Sequence, residues 1–164
     1  MFSYLDFIRK DKVIQLLCID HPNMANTYTQ IYIQFVFAVK YRVCLIQSGW
    51  EDELYKYITG IVKNHGHKMI AINGMPDHTH VFIGFQSTQS IADLMRLVKG
   101  ESSEWINKKQ FTTGNFKWQE GYGAFSYCRS HIDNVCKYIA NQKIHHSEKS
   151  FNETSCKDEK YLRP

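Results

Sequence analysis

The residues able to do chemistry fall in two short stretches. In Met75-Pro-Asp-His-Thr-His80, His78 and His80 stand two apart at the head of an apolar run. Successive side chains on a strand point to opposite faces, so the two imidazoles project from one face and can close on a single divalent ion. In Ser130-His-Ile-Asp-Asn-Val-Cys-Lys-Tyr-Ile-Ala-Asn-Gln142, which reads as a helix, Tyr138 and Gln142 lie one turn apart. Two neutral nitrogen ligands leave open positions on a metal, as a catalytic ion needs for a substrate phosphate and water. A phenol becomes a nucleophile once it sheds a proton ordinarily held to a pKa of about 10.

Two other histidine pairs have less to offer. In His65-Gly-His67 the glycine sits where a helix should end, so the side chains straddle a left-handed cap and need not converge. His145 and His146 are adjacent on a helix, where neighbours diverge by roughly 100° and chelate poorly.

The elements that must position these residues can be read from the apolar spacing. Ile31, Ile33, Phe35, Phe37 and Val39 alternate with polar residues, predicting a strand from Tyr28 to Val39. Gly49 opens a helix carrying Trp50, Leu54, Tyr57, Ile58, Ile61 and Val62 and ending near Gly66. Two strands follow, about 67–73 and 78–85, joined by Gly74-Met-Pro-Asp. Ser90 and Asp93 form a capping box for a helix to about Lys109. A strand is expected at 116–119, then a Gly121-Tyr-Gly-Ala loop, then the tyrosine helix capped by Ser130 with Asp133. The order predicts an α+β fold, ferredoxin-like (RRM-like), with one antiparallel sheet and helices mainly on one face.

Three blocks, Met75-Pro-Asp-His-Thr-His80, Trp118-Gln-Glu-Gly-Tyr-Gly-Ala-Phe-Ser126 and Tyr138-Ile-Ala-Asn-Gln-Lys-Ile-His-His146, in this order and spacing, resemble the HUH endonuclease superfamily. Within it they are similar to the one-tyrosine transposases of small insertion sequences and the REP-associated tyrosine transposases. The resemblance covers about residues 24–151. It implies Tyr138 as nucleophile, and His78, His80 and Gln142 as ligands of Mg²⁺ or Mn²⁺, a neutral donor set suited to work on phosphate, although imidazole also accepts zinc. It further implies hairpin-bearing single-stranded DNA as partner, a 5′-phosphotyrosine intermediate, rejoining without any nucleotide cofactor, and a homodimer in which one subunit's tyrosine helix can complete the other's histidine site. The sequence departs from the family at Thr79, where a bulky apolar residue is usual, and in a short C-terminal tail, 152–164. Residues 1–23 precede the resemblance, as an extension upstream of a natural start at Met24 or as a short extra helix.

At 164 residues, 43% hydrophobic and 14% aromatic, the chain is expected to be one domain with a sizeable core. A formal charge of +4 permits a polyanionic partner without demanding one. Cys18, Cys44, Cys128, Cys136 and Cys156 form no C-x-x-C pair and are odd in number, which fits reduced thiols in a cytoplasmic protein. No apolar run is long enough for a membrane span. Lys40, Arg42, Arg96, Lys99, Lys108, Lys109 and Lys117 are candidate phosphate contacts, with Trp105, Trp118 or Tyr122 stacking on bases. Asp77 and Asn141 are candidates for orienting the ligands from behind, Asp77 being equally a turn residue after Pro76. Alternatives are a rolling-circle-type nicking enzyme, a domesticated hairpin-binding protein without cleavage, and a zinc-dependent hydrolase.

Overall fold

A computed structural model of the protein describes residues 28–142. The 1–23 extension, the start at Met24, His145-His146 and the 152–164 tail lie outside the described residues. Strand β1 (Ile31–Ala38) runs antiparallel between β3 (His78–Phe85) and β4 (Gly123–Tyr127), and β2 (Lys68–Met75) pairs with β3, giving the order β2-β3-β1-β4. Helices α1 (Glu51–Asn64) and α2 (Ile91–Lys109) cross between strands, and α3 (Ile132–Ala140) follows β4.

The period of two along each strand divides the core into two layers. Odd-numbered residues Ile33, Phe35 and Phe37 of β1 and Val81, Ile83 and Phe85 of β3 pack against Leu54 and Ile58 of α1 and Leu94, Val98 and Ile106 of α2. Each such side chain fully buried contributes about 1.5–3 kcal/mol. The even-numbered face carries the histidines, and α3 lies on it. There Phe82, Val135 and Ile139 form a smaller cluster with Tyr32, Ile70 and Tyr127 at its margin. The fold is thus the expected antiparallel α+β sheet, with α1 and α2 on one face and, among the described residues, the tyrosine helix on the other.

Local chemistry accounts for the boundaries. Ser90 accepts the Asp93 N–H at 3.1 Å, the cap expected for α2, and its hydroxyl donates to the Asp93 carboxylate at 2.7 Å, where a full capping box would bring that carboxylate to the Ser90 N–H. Gly66, at φ +79°, ends α1 in the left-handed conformation that favours glycine. Gly74 lies opposite Thr79, and a Cβ there would run into the His78 carbonyl, so the tight approach of β2 to the histidine strand requires glycine.

Two expectations are corrected. The stretch 116–119 is not a regular strand. Its one bridge joins Trp118 to Val39, and the regular edge strand is 123–127, which the glycines had marked as loop. Both segments run along the same edge of β1, interrupted where Gly121 takes φ +76°. The alternation of Phe116 and Trp118 reflects burial in the core rather than a ladder. Ser130 does not cap α3 either. A single 3₁₀ turn, Arg129–His131, precedes the helix, and the Ser130 hydroxyl lies 3.0 Å from Cys128 Sγ instead.

Candidate active site

His78 and His80 occupy the face of β3 that α3 covers, with ring centroids 5.1 Å apart, and both are buried. Each has its Nδ1 engaged from a different element. His78 Nδ1 meets Asp77 Oδ1 at 2.7 Å, and Asp77 also takes the Arg42 guanidinium at 2.9 Å. Partial burial pushes the Asp77 carboxyl up, but the hydrogen bond from His78 and the charges of His78 and Arg42 outweigh it and hold the group below its ordinary value. Asp77 is therefore a carboxylate that fixes the His78 ring. His80 Nδ1 lies 2.9 Å from Gln34 Nε2 on β1. Turned over, the same amide would accept from Nδ1–H through its oxygen, the setting that leaves the His80 Nε2 lone pair for a metal.

The donor set fits a divalent ion. Two buried imidazoles share one face, and each has Nδ1 engaged from behind; with the Gln34 amide turned over, both would present Nε2 to a metal. Among the described residues no third histidine, cysteine or carboxylate joins them as a metal-holding cluster. Gln142 is a buried amide just beyond the end of α3.

Asn73 brings that helix end to the site. It is the cross-strand partner of His80, and its amide donates to the carbonyls of Ile139 at 2.9 Å and Ala140 at 3.1 Å. These are orphan acceptors of the last helical turn, and here a strand residue satisfies them. Docked this way, α3 brings the Tyr138 ring to 5.9 Å from the His80 ring of the same chain, edge to face, while leaving it half exposed. Beside Tyr138 an open cleft of about 430 Å³ is lined by Gln34, Tyr127, His131 and Asn134. Burial, and then the neighbouring Tyr138, pushes the Tyr127 phenol up, so Tyr127 stays neutral and able to donate.

The remaining candidates are more scattered. Arg42 reaches the site through Asp77. Asn141 is exposed at the C-cap of α3. Arg96, Lys99, Lys108 and Lys109 belong to α2, on the sheet face away from the histidines. There Lys99 donates to the carbonyls of Gln119 and Gly121, both at 2.7 Å, and Lys108 pairs with Glu104 at 2.8 Å. Lys40 and Lys117 are joined through their backbones at 2.9 Å. Trp118, expected as a stacking surface, is core instead. It is buried, its indole donates to Ser102 Oγ at 3.0 Å, and its faces meet Phe37 and Phe116. Trp105 stacks on Tyr57, and Tyr122 is half-buried against Phe35. His67 is a satisfied structural histidine: Nδ1 accepts the Gln86 N–H at 3.0 Å, Nε2 meets Gln89 at 2.7 Å, and the ring stacks on Phe85.

Gln34 and Asn73 were not singled out by the sequence. Polar residues in alternating strands read as solvent-facing, and only the parity that Gln34 shares with Tyr32 marks it as lying on the face that α3 covers.

Comparison with known proteins bears on the fold and the family. A family model described as "Transposase IS200 like" matches residues 27–142. The ISDra2 transposase TnpA of Deinococcus radiodurans is 25% identical over 118 residues, covering 69% of this chain and 84% of that protein. A crystal structure of a candidate transposase from the same organism superposes with a TM-score of 0.58 at 22% identity, over 74% of this chain and 98% of the other. A REP-associated tyrosine transposase, solved bound to a REP hairpin, superposes with a TM-score of 0.57 at 13% identity, over 77% and 74%. The two structures share the fold. With the family model spanning most of its length, this chain belongs to the family of IS200-like transposases.

Proposed function

We propose that the chain is a single-stranded DNA transposase that cuts and rejoins strands at hairpin-marked ends through a 5′-phosphotyrosine on Tyr138. The observation that carries this is the approach of the Tyr138 ring to 5.9 Å from His80, with both histidines oriented from behind by Asp77 and Gln34. His78, His80 and Gln142 would hold Mg²⁺ or Mn²⁺. When bound, that ion supplies charge neutralisation and polarisation of the scissile phosphate.

The step balances without an external energy source. Tyr138 Oη attacks the phosphorus of the scissile diester, the Oη–P bond forms, and the bond from phosphorus to the 3′ oxygen breaks. The phenol proton passes to solvent, and the released 3′ oxygen takes one up to leave as a hydroxyl. That hydroxyl, or another, reverses the attack and reseals a strand with Tyr138 restored. Tyr127, held neutral, borders the cleft in which the nucleotide at the cut would lie.

Hairpin recognition is supported by the REP hairpin bound to the structural neighbour. In this reading the catalytic domain spans residues 24–151, flanked by an extension at 1–23 and a tail at 152–164, and works as a cytoplasmic homodimer. The closeness of Tyr138 to its own His80 supports assembly of the site within one chain.

The test is a denaturing gel of the protein with labelled single-stranded hairpin oligonucleotides from the DNA flanking its gene, with Mg²⁺ or Mn²⁺, beside His78→Ala. Cleaved strands and a slow covalent band that need both the metal and His78 are expected. Hairpin binding without cleavage under either metal would replace the transferase with a binding protein.

A further inference from the structure

Between β1 and α1 the chain makes a turn that the reaction above does not use. It wraps the β2–β3 connection that presents His78: the Val39 N–H donates to the Asp77 carbonyl at 2.7 Å, and the Ile46 N–H to the Pro76 carbonyl at 2.9 Å. The turn closes through the Arg42 N–H on the Val39 carbonyl at 2.9 Å. Within it Tyr41 has φ 60° and ψ 17°, and Arg42 has φ 58°. Two consecutive side-chain-bearing residues thus occupy the left-handed region, which ordinarily favours glycine.

The surrounding structure holds them there. The Lys40 N–H donates to the Lys117 carbonyl at 2.9 Å, the Tyr41 N–H to Gln119 Oε1 at 3.1 Å, and the Arg42 side chain is tied to Asp77. Strain retained in this way tends to mark functional positions. Its result here is to hold the Tyr41 ring in solvent at 78% exposure, the highest of the large apolar side chains among the described residues. The Lys40 ammonium lies 5.0 Å from the centroid of that ring.

An exposed aromatic ring with one cation over it and an arginine next along the chain is the chemistry that takes an unpaired base and its neighbouring phosphates. The interior pairs of a duplex offer such a ring no free base face. An apolar protein partner would gain nothing from Lys40 and Arg42 on either side. The path from Tyr41 through Arg42 and Asp77 to His78 also leads to the phosphate-handling site itself. We infer that Tyr41 is a stacking platform for an unpaired base in the single strand beside the hairpin, with Lys40 and Arg42 contacting adjacent phosphates. This rests on the proposed transposase function and names the part of the substrate that the turn reads.

The test compares the full chain with Tyr41→Gly and Tyr41→Phe by fluorescence anisotropy. The probes are a hairpin oligonucleotide with a single-stranded flank and the same hairpin without one, with no added metal. Glycine suits the positive φ, so Tyr41→Gly should keep or raise the melting temperature; Tyr41→Asn serves as a second variant tolerant of that conformation. Removal of the ring should weaken binding of the flanked probe by about tenfold or more, as expected for loss of one stacked base, and leave the blunt hairpin unchanged. Tyr41→Phe should bind like the wild type. Equal binding of the flanked probe by Tyr41→Gly and wild type, or equal weakening on both probes, would overturn the platform alone. Failure of the wild type to bind either probe would remove the transposase reading and the platform with it.

Discussion

Asn73→Ala should loosen the tyrosine helix without loosening the sheet. Asn73 makes two hydrogen bonds to carbonyls at the end of α3, at 2.9 and 3.1 Å, the second in an exposed setting. At about 0.5–1.5 kcal/mol net per bond, and with water ready to replace the exposed one, the loss is about 1–2 kcal/mol. The rest of the docking is modest, since the nine-residue helix buries only Val135 and Ile139. The penalty should therefore appear as local opening of α3. At 25 °C, 1–2 kcal/mol corresponds to amide exchange about 5- to 30-fold faster in residues 132–141. Peptides from β3, anchored by the fully buried Phe82 and Ile83, should exchange as in the wild type. Hydrogen exchange followed by mass spectrometry reads both regions in one experiment. Unchanged exchange in α3, or equal acceleration throughout the domain, would refute Asn73 as the specific tie between the tyrosine helix and the histidine strand.

Gln34→Leu keeps an apolar volume on β1 but removes the group facing His80 Nδ1, so Mn²⁺ affinity measured by titration calorimetry should fall about 10- to 100-fold with the fold intact; unaltered affinity would dismiss Gln34 as an orienting residue. Thr79 has a fully buried hydroxyl with no hydrogen-bond partner among the described residues. Thr79→Val should therefore raise stability in urea denaturation by about 1–2 kcal/mol, and a destabilised valine variant would contradict this.

The histidine pair was legible because a spacing of two on a strand has one geometric meaning, and the β1-α1-β2-β3-α2 order because apolar runs of strand and helix length were separated by glycine, proline and capping residues. The edge strand 123–127 was not. Ala124, Phe125 and Ser126 are exposed, so no alternation marks them, and only pairing with β1 makes them a strand. Phe116 and Trp118 misled in the opposite way, since burial in a core gives the same alternation as a ladder. Gln34 and Asn73 were hidden for a third reason. Period-two logic sends them outward, and outward became inward only when α3 folded across that face. Tyr41 has no sequence signature, because its conformation is imposed by contacts from residues 77, 117 and 119.

The central claim is that Tyr138 is the nucleophile beside His78 and His80. Its most direct test is to trap the reaction on a hairpin oligonucleotide with Mn²⁺, digest the protein and locate the nucleotide-bearing peptide by mass spectrometry. The expected result is a 5′-phosphonucleotide on Tyr138, absent from Tyr138→Phe and from His78→Ala. A nucleotide adduct on Tyr122, Tyr127 or any other residue, or an adduct that persists in Tyr138→Phe, would contradict it.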